Sequence, residues 1–200
     1  DLSGFSGLQV DLGGQDGASG NGGDLSLSNT GSVFTRGQMA HGIVLQSIGG
    51  GGGAVLTDTD ASHVEVVTHS DNTGNGGDIQ LAQTGDVVVL GDQSIGILAQ
   101  SLGGGGGIVD RVFADTAGGA GTSGNVSLGI DGDVLALGDQ GIGILAQSRG
   151  AGGQGDISLE LADGNLVYFG SDGEGVHISG GADNLFLNHG ELVGKDWMRG

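Results

Sequence analysis

Two hundred residues with 49 glycines, no proline, no cysteine and a formal charge of −19 exclude several classes of protein at once. Five Lys and Arg residues leave little to neutralise nucleic-acid phosphates or to hold an anionic membrane. The lack of cysteine removes disulfides, zinc–thiolate sites and thiol catalysis.

Without a G-X-Y period the glycine is not collagenous, and regularly placed Leu, Ile and Val supply the core that disordered glycine-rich chains lack. No run of about 18 apolar residues is present, so no transmembrane helix is expected. Asp1-Leu2-Ser3 is no signal peptide. The chain opens as if already inside a repeat, which reads as a processed or excised piece of something longer.

In chain order, the first copy of that repeat starts with GNGGDLSLSNTGSV, Gly20 to Val33. It returns 54 residues later as GNGGDIQLAQTGDV, Gly74 to Val87, and the same offset carries Gly42 onto Gly96 and Gln46 onto Gln100. The third copy, NVSLGIDGDV (Asn125 to Val134) with GIGILAQS (Gly141 to Ser148), follows at an offset of 47. The fourth, GDISLELADGNL (Gly155 to Leu166) with GEGVHISG (Gly173 to Gly180), follows after 32, and a fifth begins at NLFLNHGELVG, Asn184 to Gly194. The excess length of the early copies sits in 54–73 and 108–123, directly after the glycine runs. These two segments are expected to leave the repeat as loop insertions.

Each copy holds three short apolar segments closed by glycine. In the first, Leu25, Ile79, Val126 and Ile157 share one position and Leu27, Leu81, Leu128 and Leu159 the next but one. Ser26, Gln80, Ser127 and Ser158 stand between them, the period of a half-buried strand. The second runs Val33 to Arg36, Val87 to Leu90, Val134 to Leu137 and Leu166 to Phe169, each followed by Gly37, Gly91, Gly138 or Gly170 at an expected sharp corner. The third puts Ile43, Ile97, Ile144 and Val176 on one face with Leu45, Ala99, Ala146 and Ile178. Gln46, Gln100 and Gln147 share the opposite face with Arg149 and His177. An unpaired Arg is almost never fully buried, so that face is assigned outward, with the Gln column as an amide ladder.

Three strands per rung, like residue over like, predict a right-handed parallel β-helix of about five rungs in one domain spanning 1–200. Glycine this dense argues against helices, each one costing about 1 kcal/mol there.

The iterated GNGGD…TGxV…GIxxQSIGGGGG resembles the glycine-rich passenger regions of large bacterial autotransporters, over nearly the whole chain and most strongly from Gly20 to Gly155. The resemblance implies a right-handed β-helix displayed outside a Gram-negative cell, non-enzymatic, acting in adhesion, aggregation or biofilm matrix. It implies partners among copies of itself, host or matrix molecules, or glycans. The resemblance implies that this is passenger without the family's C-terminal translocator barrel, since GKDWMRG lacks the alternating strands a barrel needs.

No catalytic, cofactor-binding or metal residue is assigned. The glycine runs are followed by Ala54 and Ile108 rather than the Lys-Ser or Lys-Thr of a phosphate loop. GNGGDL and GGQGDISL resemble a calcium-binding nonapeptide, but Asp24, Asp78 and Asp156 recur once per rung or less often. That supplies fewer oxygens than the six to eight calcium takes. TDTDAS, Thr57 to Ser62, is the other calcium candidate. The bland reading of these Asp residues is acceptance of turn amides.

His41, His63, His69, His177 and His189 show no metal-protease spacing, and no nucleophile elbow is present. Asp86, Asp133 and Asn165 share a rung position that could hold an acid/base pair of a carbohydrate-active enzyme, with solvated turn caps as the plainer account.

More demanding is an apolar outward set. It comprises Val44, Leu98, Leu145, Ile48 and Leu102 on the third strand, and Phe34, Val88, Leu135, Val167, Leu90, Leu137 and Phe169 on the second. A sheet apolar on both faces is covered on both. The cover is expected from the glycine runs and insertions folding back or from another molecule, such as a neighbouring protomer in a filament or sheath packed through the glycine loops.

Overall fold

A computed structural model describes residues 8–11, 19–55, 64–67, 72–109, 112–114 and 120–195, and every element in it is a β-strand. β1 (Leu8–Asp11) precedes the first copy, which contributes β2 (Leu25–Asn29), β3 (Val33–Thr35) and β4 (Ile43–Ile48), followed by β5 (Gly52–Val55) and β6 (Val64–Val67). The second copy gives β7 (Ile79–Gln83), β8 (Val87–Val89) and β9 (Ile95–Leu102), then β10 (Gly106–Val109) and β11 (Val112–Ala114). The third gives β12 (Val126–Ile130), β13 (Val134–Ala136) and β14 (Ile142–Arg149). The fourth gives β15 (Ile157–Leu161), β16 (Leu166–Phe169) and β17 (Glu174–Gly180), and β18 (Asn184–Asn188) and β19 (Glu191–Gly194) open the fifth.

Strands of successive copies pair in parallel, giving three sheets: β2-β7-β12-β15-β18, β3-β8-β13-β16-β19 and β4-β9-β14-β17. The register is that of the repeat, with Leu25 beside Ile79, Ile79 beside Val126 and Val126 beside Ile157. Apolar positions two apart therefore project to one side of each sheet. There they merge into one core that includes Ile79, Leu81, Val87, Ile97, Ala99, Leu128, Val134, Ile144 and Leu159. Over the first four copies the first sheet's other face, with Ser26, Gln80, Ser127 and Glu160, is polar, and Leu185 and Leu187 of β18 stand on it at the end.

Three expectations need correction. First, 54–73 and 108–123 are not simple loops. β5 and β10 begin inside the glycine runs and continue into these segments, pairing in parallel (Gly52 with Gly106, Ile108 with Ala54), and β11 adds antiparallel to β10. β6 pairs in parallel with β1.

Second, the fourth copy is out of step with the alignment: Val167, not Leu166, lies beside Val134. The turn of Ala162, Asp163, Gly164 and Asn165, with Gly164 at φ 80°, absorbs the extra length. The Asn165 amide donates to the carbonyl of Ile130 at 3.0 Å. Val167 is consequently core, Tyr168 takes the outward place beside Leu135, and the ring of Phe169 lies against Gly175 and Gly194.

Third, Gly91, Gly138 and Gly170 are not glycine because of a sharp corner. A Cβ on any of them would overlap the carbonyl oxygen of the glycine one copy earlier, so the column Gly37-Gly91-Gly138-Gly170 is a line of backbone-to-backbone contact. The left-handed conformation falls on Gly37 alone of this column (φ 119°), where the corner reading holds, and in all four copies on a residue just beyond, Met39, Gln93, Gln140 and Asp172, with φ between 52° and 62°.

A serine column completes the stacking. The hydroxyls of Ser47, Ser101 and Ser148 each donate to a glycine carbonyl of their own copy's first turn (Gly23, Gly77, Gly124) at 2.8 Å. Each accepts the amide of the equivalent glycine one copy on, Gly77, Gly124 or Gly155, at 2.8, 2.9 and 3.1 Å. One hydroxyl thus closes the third strand onto two copies at once.

Candidate interaction surface

The glutamine column forms as expected but is not solvated. Gln46 Nε2 donates to Gln100 Oε1 at 2.8 Å, and Gln100 Nε2 donates on to Gln147 Oε1. Gln100 and Gln147 are nevertheless buried. They point away from the core, and β10, paired with β5, lies over this face, with the Gly107 carbonyl 3.4 Å from Gln100 Nε2. Ile108 of β10 joins Ile95, Leu98, Ile142 and Leu145 in a second, smaller apolar cluster. The assignment of the face as outward from the sheet is right, and its inference of exposure is not. Arg149, which carried that inference, is half-buried at the strand's end.

The glycine runs are thus packed within the chain. Gly50 N donates to Gly20 O and Gly105 N to Gly49 O. A Cβ on Gly52 or Gly107 would overlap the carbonyl of the partner strand, Gly106 or Gly53. Only glycine lets these backbones close over the ladder at φ values of 139° to 154°.

The aspartates act between copies. Asp24 Oδ1 accepts Asp78 N–H at 2.9 Å, Asp78 accepts Asn125 N–H at 2.7 Å, Asn125 accepts Asp156 N–H at 2.8 Å, and Asp156 accepts Asp183 N–H at 3.1 Å. Asp86 accepts Asp133 N–H at 3.1 Å, and Asp133 accepts Leu166 N–H at 2.9 Å, so Leu166 and not Asn165 continues that column. Asp92 accepts Asp139 N–H at 2.9 Å. Each carboxylate satisfies a turn amide of the next copy, as a short acceptor side chain at a turn does for a local amide.

Among the described residues no three His, Cys, Asp or Glu side chains gather as for a metal ion. Thr57 to Ser62, His63 and His69 lie outside the described residues. His177 Nδ1 lies 2.6 Å from Glu174 Oε2, and His189 is exposed on the fifth copy. An open groove at the first copy is lined by Gly22, Gly23, Leu25, Gln46, Ser47, Ile48 and Gly51 to Gly53, with neither a carboxylate nor an aromatic ring.

His41 Nδ1 accepts Ile95 N–H at 3.1 Å, while Nε2 is buried with no partner among the described residues. Burial lowers its pKa below the ordinary 6.5. A depressed histidine pKa adds stability that is present above the unfolded value and lost as pH falls through the folded one. Protonation would also turn the acceptor of Ile95 N–H into a donor. Thermal melting from about pH 7.5 down to about pH 5 should therefore fall more steeply for the native chain than for His41→Asn, whose Oδ1 accepts without titrating. Parallel profiles would show that His41 contributes nothing to the pH dependence.

The second sheet's outward face is an apolar face left open along the copies, beside the exposed Val44 of β4 and the exposed leucines and phenylalanine of β18 and β19. Phe34 (54% exposed), Val88, Leu135 and Tyr168 form one column, and Arg36, Leu90 and Leu137 the next. The Arg36 guanidinium stands 4.9 Å above the Phe34 ring. Asp86 and Asp133 border this stripe on one side, Asp92 and Asp139 on the other. The sequence marked the stripe, with Val167 and Phe169 wrongly included and Tyr168 missed because of the one-residue slip in the fourth copy.

No family model, curated protein or solved structure matches the chain.

Proposed function

We propose that the chain is a right-handed parallel β-helical shaft from an acidic bacterial surface protein, non-enzymatic, working outside the cell in adhesion, aggregation or matrix formation. The observation that carries this reading is the copy-on-copy register. Gln pairs with Gln, Asp and Asn side chains accept the turn amides of the next copy, and Ser hydroxyls join glycine backbone of two copies, which makes a stiff presenting surface rather than a reaction centre. The resemblance to autotransporter passengers gives the setting.

A second reading, end-to-end association into a filament, is favoured by the exposed Leu185, Phe186, Leu187 and Leu192 on β18 and β19. It does not use the glycine runs, which are occupied within the chain.

Displayed on a non-adherent bacterium, the chain is expected to raise attachment to a matrix-coated surface and leave polysaccharide chain length unchanged. Display without gain in attachment or cell–cell aggregation overturns the adhesive reading. Growing particles in dilute purified protein would instead favour the filament.

A further inference from the structure

We infer that the stripe on the second sheet docks a cationic amphipathic segment of a partner protein, with aliphatic or aromatic residues on the stripe and Lys or Arg on the flanking aspartates. This rests on the reading of the chain as a presenting shaft.

The three sheets provide their own comparison. The first sheet's outward face is polar and open over the first four copies, with Leu185 and Leu187 on it only at β18. The third sheet's is apolar, and β10, paired with β5, covers its Leu98 and Leu145, while Val44 of the first copy stays exposed. The second sheet's is apolar and open, with Phe34, Leu90 and Leu137 each more than a third exposed. Apolar faces of this kind mark contact sites.

What would cover it follows from charge. A second copy would bring its own Asp rows against these, in a chain of net charge −19, and like charges placed opposite one another are disfavoured.

A cation is suited, and the molecule's own side chains already take such positions. Lys195 Nζ sits 3.2 Å from Asp139 Oδ1, and the Arg36 guanidinium caps Phe34. An amine on the aspartate row and a guanidinium over the aromatic ring are the two contacts a basic amphipathic segment would make. Strands about 4.8 Å apart present the column continuously over four copies, long enough for a short extended segment.

The probe is a fluorescent peptide of alternating lysine and leucine, titrated into the whole chain by anisotropy at physiological salt. Lysine–serine and glutamate–leucine peptides of equal length serve as controls. The lysine–leucine peptide is expected to bind on the order of tenfold or more tighter than either. That preference is expected to vanish in Phe34→Ser/Leu90→Ser/Leu137→Ser, whose melting temperature should fall only modestly because these side chains are partly exposed and lie outside the core.

Equal binding of the lysine–serine peptide would mean only polyanion attraction and overturns the proposal. Undiminished binding to the triple variant overturns it too. So does self-association that the triple variant abolishes, which would name a second copy as the occupant. So does a large drop in the variant's melting temperature, which would show that the chain itself uses the stripe. Failure of the native chain to bind the lysine–leucine peptide, together with intact adhesion by the displayed chain, would remove the stripe and leave the shaft.

Discussion

Gly91→Ala is expected to cost the chain more than about 3 kcal/mol, enough to abolish a cooperative melt in a marginal protein. The added methyl would overlap the carbonyl oxygen of Gly37, and Gly138 rests on Gly91 in the same way from the next copy. The atoms the methyl would meet, the Gly37 carbonyl and the Gln38 nitrogen, are backbone beside the parallel ladder β3-β8, so no rotamer change relieves the overlap. Small-to-large changes in close-packed interiors force such backbone shifts.

Gly129→Ala is the matched control. Its Cβ would point outward with its nearest neighbour, the Leu81 carbonyl, at 3.8 Å, and the adjacent strand already carries Ala82 there. It should leave stability unchanged or raise it by up to about 1 kcal/mol through reduced freedom of the unfolded chain. Chemical denaturation of the two variants beside the native chain measures both effects. An equal, small effect of both would show that the glycine column is not a contact line.

Gln100→Ala is expected to destabilise by about 2–4 kcal/mol, since it opens a cavity and strands buried polar partners. Gln100 accepts from Gln46 and donates to Gln147, and the Gly107 carbonyl of the covering strand leans on the same amide nitrogen. The conversion of Gln46, Gln100 and Gln147 together to leucine should cost less than Gln100→Ala alone. Removing all members of a buried polar column is cheaper than orphaning some of them. The comparison by denaturant midpoint distinguishes a ladder that must be complete from three independent side chains, for which the triple variant would be the worst.

Much of this arrangement was legible in the residues. Alternation of Leu25, Leu27 and their equivalents named the first sheet and its inner face. The recurrence of Gln46, Gln100 and Gln147 at copy spacing named a ladder. Both signals rest on strand period and on the repeat, which a single sequence contains. Ser47, Ser101 and Ser148 carried the same periodic signal in every QS pair and could have been read as a second column.

The fourth copy was less transparent. A turn longer by two residues than its counterpart shifts the register without altering the apolar count, so Leu166 and Val167 looked interchangeable until their partners were seen. Burial of the glutamines was also illegible, because exposure depends on what lies over a face and not on the face itself.

The sequence by itself determined that this is an all-β chain of stacked copies, with the identity of each column fixed by position in the repeat. A period-two pattern repeated at intervals admits one inward face, and parallel pairing of equivalents follows from matching side chains. Only the tertiary structure decided how the glycine runs are used. Two residues of each pentaglycine pair as strands over the third sheet, where Gly52 and Gly107 meet backbone too closely for a side chain and all four take a glycine-favouring positive φ. The same folding-back that buries the Gln column leaves the Phe34-to-Tyr168 column open. Both faces are apolar in sequence, and the difference between them lies in where a covering strand of the same chain comes to rest.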